Sequence, residues 1–165
     1  MKHIQILIVD DEEGIRESLR GVLEDEGYSV EVAFDANSAL AELKRRSYDA
    51  VLLDVWMPGK DGLEALEEIQ KIPLTERPSV VMISGHGNIE TAVRATKLGA
   101  FDFLEKPLTI EKVTVTLQNA LRQRQLEVEV ARLKHASGED RTILGESVPM
   151  RALRQQLELM AQTNG

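Results

Sequence analysis

Short apolar runs alternate with amphipathic stretches five times along the first two thirds of this chain. Residues 4–9, Ile-Gln-Ile-Leu-Ile-Val, read as a strand that is apolar almost throughout, as expected when both faces are covered. Residues 13–26 carry Ile15, Leu19, Val22 and Leu23 on one stripe, which predicts a helix stopped by Gly27. Residues 29–33 form a second strand. Residues 36–46 form a second helix, with Ala39, Leu40 and Leu43 inward. A third strand at 49–53 precedes a helix at 62–71 that turns Leu63, Leu66 and Ile69 inward, with Pro73 beyond its end. Ser79-Val80-Val81-Met82-Ile83 is a buried strand. Asn88 is placed to cap a helix running to about Leu98, where Gly99 ends it. Residues 101–104 make a last short strand. The alternation predicts an α/β fold, a doubly wound parallel sheet with right-handed crossovers.

Beyond Pro107 the pattern changes. Residues 109–136 contain neither Gly nor Pro and carry Ile110, Val113, Leu117, Leu121, Val128 and Leu133 at roughly helical spacing. This predicts one helix about twice the usual length, of which one half suffices to cover a five-stranded domain. The second half is expected to project or to pair. Its spacing permits a coiled-coil homodimer, although Arg124 and Gln125 interrupt the stripe. Ser137-Gly138-Glu139-Asp140 is expected to break the helix. An extended piece, Ile143-Leu144-Gly145-Glu146-Ser147, and a last amphipathic helix with Met150, Leu153, Leu157 and Met160 follow. Residues 137–165 are too few for a domain and read as the edge of a further module in a longer protein.

Charge narrows the picture. The net charge of -8 is concentrated in residues 1–109, which carry 21 acidic and 12 basic side chains. Such a surface is a poor direct binder of nucleic acid, which needs a basic face. No apolar run approaches the length that crosses a bilayer. The first residues lead straight into a strand without a signal-peptide pattern. Cysteine is absent, so disulfides and thiolate metal sites are excluded. A cytoplasmic location fits these features.

Polar residues at the strand ends carry the chemistry. Asp10 and Asp11 follow the first strand, Asp54 the third, Ser84 the fourth, and Lys106 the fifth. In an open parallel sheet these carboxyl ends meet at one edge, where ligands bind at the switch point. Carboxylates gathered there repel by roughly 4 kcal/mol per close pair at an intermediate dielectric. That crowding is tolerable when a cation occupies the site, and Mg²⁺ suits such oxygen ligands. Cation, lysine and hydroxyl together make a place for a phosphoryl group. Asp54, on the central strand, is then the natural nucleophile. Taken singly, an Asp-Asp pair can cap a helix and Lys106 can be a surface lysine. Their common register at several strand ends argues against coincidence. Asp35, Asp49 and Asp102 read as turn or surface residues, and His3 and His86 lack a partner histidine for a metal.

The motifs Val9-Asp10-Asp11-Glu12, Leu53-Asp54-Val55-Trp56-Met57-Pro58-Gly59-Lys60-Asp61-Gly62, Ile83-Ser84-Gly85 and Glu105-Lys106-Pro107 resemble the receiver domain of bacterial two-component response regulators over residues 4–122. The resemblance implies a receiver at residues 1–122 with a flavodoxin-like (CheY-like) sheet of order 2-1-3-4-5. It implies that Asp54 accepts a phosphoryl group from a sensor histidine kinase. Asp11, Asp54 and the Trp56 backbone carbonyl would hold Mg²⁺, with Asp10 acting through water. Lys106 would pair with the phosphoryl group, and Ser84 and Phe103 would be the switch residues. Phe103 stands where many relatives carry tyrosine. Residues 143–153 resemble the opening of the AAA+ module of NtrC-class activators, and Ser84–Val93 resembles the NtrX subgroup. The glycine-rich phosphate loop is absent from the chain, so ATP binding is not expected of it, and no DNA-binding helix-turn-helix is visible. The rival reading is a small aspartyl-nucleophile phosphatase or phosphotransferase. Haloacid-dehalogenase-like enzymes need a second acid two residues after the nucleophile, where this chain has Trp56.

Overall fold

The apolar runs pair into one parallel sheet covered on both faces. The computed structural model describes residues 3–85 and 88–143, with side chains described to Lys134. The described elements are β1 (Gln5–Val9), α1 (Glu13–Asp25), β2 (Ser29–Ala33), α2 (Ala36–Arg45), β3 (Ala50–Asp54), α3 (Gly62–Ile69), β4 (Ser79–Ser84), α4 (Ile89–Lys97), β5 (Asp102–Glu105) and α5 (Ile110–Ile143). Strand order is β2-β1-β3-β4-β5, as the resemblance implied. Order reverses between β1 and β3, which pair with Val9 opposite Leu53. The chain divides into two units, with the boundary after Val128.

Alternation along each strand explains the continuous apolar runs. Leu7, Val9, Val51, Leu53 and Met82 face one layer, packed with Ala36, Ala39, Leu63, Leu66, Ile69 and Ala95. Ile6, Ile8, Leu52, Val81 and Ile83 face the other, packed with Leu19, Leu23, Val113, Leu117 and Ala120. Every one of these strand side chains is at most 1 % exposed. Burial of each is worth roughly 1.5–3 kcal/mol, so the two layers hold the strand ends in fixed register.

Helix starts follow short-range chemistry. Asp35 caps α2 by accepting from Ser38 N at 2.8 Å, so it is a cap and not merely a turn residue. Asp61 and Glu64 form a reciprocal capping box on α3. Asn88 caps α4 as expected, accepting from Thr91 N. Gly62 permits a close approach, since a Cβ there would meet the Asp54 carbonyl oxygen at 2.2 Å. Its own N–H donates to the Val55 carbonyl, drawing α3 onto the end of β3.

Other expectations need correction too. The helix expected to stop at Ser137-Gly138-Glu139-Asp140 continues to Ile143. A lone glycine costs about 1 kcal/mol in a helix and leaves the backbone donor intact, unlike proline. The proposed extended piece beyond Ile143 and the last amphipathic helix lie outside the described residues. Asp49 is no ordinary turn residue either. Its carboxylate accepts from Gln5 N at 2.8 Å and from Arg124 Nη1 at 3.2 Å. Its backbone also bonds Gln5 and Ser79. Arg124, read as a break in an apolar stripe, donates its Nε to the Arg77 carbonyl at 2.9 Å as well. One acid thus ties the starts of β1 and β4 to the fourth turn of α5.

With side-chain exposures of 19 % and 23 %, this pair is screened less than a surface bridge. Arg124→Met is expected to lower stability by about 1–2 kcal/mol, because the partly buried Asp49 carboxylate loses a donor. The loss should shrink when Asp49→Asn is added. Urea unfolding midpoints measure both; an unchanged midpoint in the single variant would show the pair to be inert.

Candidate functional site

Four strand ends deliver the polar groups to one edge of the sheet. Asp10 and Asp11 follow β1, Asp54 closes β3, Ser84 closes β4, and Lys106 follows β5. Backbone bonds lock neighbouring ends together: Val55 N donates to the Ile83 carbonyl at 2.9 Å, and Lys106 N to the Ser84 carbonyl at 2.8 Å. The Lys106–Pro107 peptide is cis.

Asp10, Asp11 and Asp54 each offer a carboxylate oxygen within 4.8 Å of the other two. Among the described residues this is the group able to hold a metal ion. Asp10 and Asp54 are buried, at 1 % and 3 % exposure, whereas Asp11 is exposed. The site is therefore open on the Asp11 side and closed on the protein side. Hard oxygen donors with one solvent-facing member fit a small divalent cation that keeps some of its water.

Asp10 is held at three points. Its Oδ1 accepts from Glu12 N at 2.9 Å. Its carbonyl accepts from Arg16 Nη1 at 2.7 Å. Its Oδ2 lies 3.0 Å from the Lys106 ammonium, an ion-pair distance, yet receives no well-aligned hydrogen bond. This buried, under-satisfied oxygen is a natural partner for an ordered water or ion. Asp10 and Asp11 do not cap α1: its N-cap is Glu12, which makes no side-chain capping bond.

Asp54 has a different environment. Burial pushes its carboxyl up to about 6, and the Asp10 charge adds to that rise. Lys106, and a backbone N–H from Trp56, pull in the opposite direction without cancelling it. Lys106 itself is governed by opposed effects. Burial disfavours its charge, but the carboxylates of Asp10, Glu12 and Asp54 close to the ammonium outweigh it, so its pKa ends above the ordinary lysine value.

Every polar residue expected at the site reaches this edge. Ser84 is fully buried at its place on β4. Trp56, just after β3, is 47 % exposed. Phe103, on β5, is half-buried and packs against the core layer that contains Met82 and Leu53. His3 is exposed and outside the carboxylate group, and His86 lies outside the described residues. Lys106 sits 3.7 Å from Asp54 Oδ2, farther than from Asp10 or from Glu12 Oε1, which is 3.1 Å away. Glu12 and Arg16 escaped the sequence reading. Glu12 stood in the acidic motif, but its partner is 94 residues distant. Arg16 lies one helical turn past Glu12, a spacing that gave no separate signal.

The response regulator receiver domain family matches residues 6–118. The chain belongs to the response regulator receiver family. The nitrogen assimilation regulatory protein NtrX of Azorhizobium caulinodans is 45 % identical over 163 residues, 96 % of this chain and 35 % of that protein. The crystal structure of NtrX from Brucella abortus superposes with a TM-score of 0.74 at 44 % identity, covering 95 % of this chain and 34 % of that one. A CheY-like receiver domain protein from Methanospirillum hungatei has a TM-score of 0.72 at 29 % identity, covering 76 % and 99 % respectively. The chain spans about a third of the length of NtrX and of several other curated relatives it matches. It is a receiver domain of the NtrX and NtrC-class type, and the phosphatase alternative is not favoured. Receiver domains bind Mg²⁺ at an acidic cluster and are phosphorylated by sensor histidine kinases. No helix among the described residues is long and apolar enough to cross a membrane.

The raised Asp54 pKa has a stability consequence for the metal-free receiver domain. The folded state holds the Asp54 proton more tightly than the unfolded chain, whose value is near 3.8. Stability from this group is therefore highest below about pH 4, falls as pH rises through 4–6, and stays low above. Asp54→Asn is expected to stabilise the domain in EDTA at pH 7.5 by about 1–3 kcal/mol and to flatten that fall. Thermal unfolding across pH 4–8 measures it. A destabilised variant would mean that Asp54 gains more from Lys106 than it loses by burial.

Proposed function

We propose that Asp54 is the phosphoacceptor of this receiver domain and takes its phosphoryl group from a sensor histidine kinase. The observation that carries the reading is the meeting of Asp10, Asp11 and Asp54 with the Lys106 ammonium at the switch point of the sheet. An Asp54 oxygen attacks the phosphorus of a phosphohistidine. The new P–O bond forms as the P–N bond breaks, and the imidazole nitrogen leaves with its electron pair. Asp11, Asp54 and the Trp56 backbone carbonyl are assigned to Mg²⁺, with Asp10 bound through water. When bound, the cation neutralises charge on the transferring phosphoryl oxygens. Lys106 would provide a second positive charge beside Asp54.

Afterwards the Ser84 hydroxyl donates to the phosphoryl group, and the Phe103 ring takes up the space vacated. Both sit on β4 and β5, directly before α4 and α5, so the change is passed to those helices. Trp56 stands where a phosphatase of the aspartyl-nucleophile type would need an acid. Hydrolysis of the aspartyl phosphate is therefore slow, and the domain serves as a switch and not as an enzyme. We assign it to the cytoplasm as part of a longer transcriptional regulator. There it controls oligomerisation and downstream ATPase and DNA-binding modules. Direct nucleic-acid or ATP binding is not assigned to this chain.

Residues 109–136 are proposed as a homodimer helix. Leu126 and Val130, four residues apart on α5, are 60 % and 49 % exposed, which supports an apolar seam. Replacing both with Glu is expected to abolish concentration-dependent association in sedimentation equilibrium. Association equal to the parent chain would place the interface elsewhere.

The phosphoacceptor assignment is tested by incubation with acetyl phosphate and Mg²⁺. Intact-mass analysis is expected to show the gain of one phosphoryl group, lost in Asp54→Asn. Trp56, the single tryptophan of the chain, is expected to change fluorescence on Mg²⁺ addition and again with beryllofluoride, a phosphoryl mimic. Phosphoryl uptake by the Asp54→Asn chain would sink the assignment. A Trp56 signal indifferent to millimolar Mg²⁺ would remove the cation from beside it.

A further inference from the structure

We infer that Glu12 is a positioning residue that competes with the phosphoryl group for Lys106. The inference rests on the reading of Asp54 as phosphoacceptor. Lys106 Nζ lies 3.0 Å from Asp10 Oδ2 and 3.1 Å from Glu12 Oε1, but 3.7 Å from Asp54 Oδ2. The ammonium is therefore drawn away from Asp54 by two other acids. It has three N–H donors and cannot serve every oxygen at this edge equally once a phosphoryl group adds more acceptors.

The two competing acids are not equivalent. Asp10 is almost fully buried, and its Oδ1 and its carbonyl are fixed by Glu12 N and Arg16 Nη1. Releasing Lys106 from Asp10 would leave a buried charge without its cation. The Glu12 side chain is 62 % exposed, so water can replace the lysine when the pair separates. Among the described residues the Glu12 side chain pairs with Lys106 alone, and it makes no capping bond at the start of α1. Of the contacts holding Lys106 back, the Glu12 carboxylate is the one that can let go. A glutamate at position 12 thus favours the unphosphorylated arrangement, and its loss should favour the phosphorylated one.

Glu12→Gln keeps the size of the side chain and removes its charge. With Mg²⁺ saturating, its affinity for beryllofluoride, read from Trp56 fluorescence, is expected to rise about two- to fivefold, the span of one exposed ion pair. The gain is expected to vanish when Lys106→Met is present in both arms of a double-mutant cycle. A gain that persists without Lys106 would mean that the Glu12 charge acts on the anion directly, and the inference fails. In the metal-free protein, the Lys106 Nζ nitrogen resonance is expected to move in Glu12→Gln. If Lys106→Met abolishes beryllofluoride binding altogether, this resonance decides, and an unmoved signal overturns the inference. Unchanged beryllofluoride affinity in Glu12→Gln overturns it too. Failure of the parent chain to bind beryllofluoride in an Asp54-dependent way would instead refute the phosphoacceptor reading.

Discussion

The arrangement depends on one electrostatic conflict: a buried carboxylate, Asp54, placed beside two more carboxylates with a single lysine to answer them. The conflict is imposed by the fold. A parallel sheet covered on both faces buries its strands nearly to their ends, and here β3 ends on the acid itself. Asp54 therefore loses water on the protein side, and its pKa rises to about 6. The rest of the edge either relieves that conflict or exploits it. Lys106 relieves it in part. The open side at Asp11 leaves room for a cation to relieve more.

Neighbouring acids of the same type end up in opposed conditions. Asp10 is the more deeply buried, yet it receives a backbone N–H, lies at ion-pair distance from Lys106, and is anchored through its carbonyl by Arg16. Asp54 has a weaker claim on the same lysine and is dominated by burial. The more fully held acid is suited to fix geometry. Asp54, whose charge burial disfavours, gains more from a new cation. The difference in partners, and not in residue type, thus separates the proposed nucleophile from its neighbour.

Most of the fold was legible because its signals are local. Alternating apolar runs, the glycines after α1 and α4, and Asn88 before α4 each act within a few residues. The strand ends followed from the pattern, and so did the gathering of Asp10, Asp11, Asp54, Ser84 and Lys106. What stayed hidden depends on distant partners. Asp49 looks like a turn acid until Gln5 and Arg124, 44 and 75 residues away, are brought to it. Arg124 looks like a defect in a stripe for the same reason. Glu12 pairs with a lysine 94 residues on. The overextended break at Ser137–Asp140 is a different failure, in which weak local preferences were given the force of a proline.

The two ends of the sheet use opposite electrostatic strategies. At the amino ends of β1 and β4, Asp49 pairs with Arg124 and accepts from Gln5 N, while Arg124 Nε donates to the Arg77 carbonyl. Each carboxylate oxygen there has a donor of its own, so the contact fastens the fourth turn of α5 to the sheet. At the carboxyl ends, three acids share Lys106, and one of them, Glu12, is exposed enough to give it up. Such a surplus of acceptors over donors makes alternative pairings similar in energy, which a fully satisfied pair cannot be. A switch needs that near balance at the end where charge is added. It also needs rigidity where the responding helix is rooted, since a loose root would absorb the change instead of passing it on.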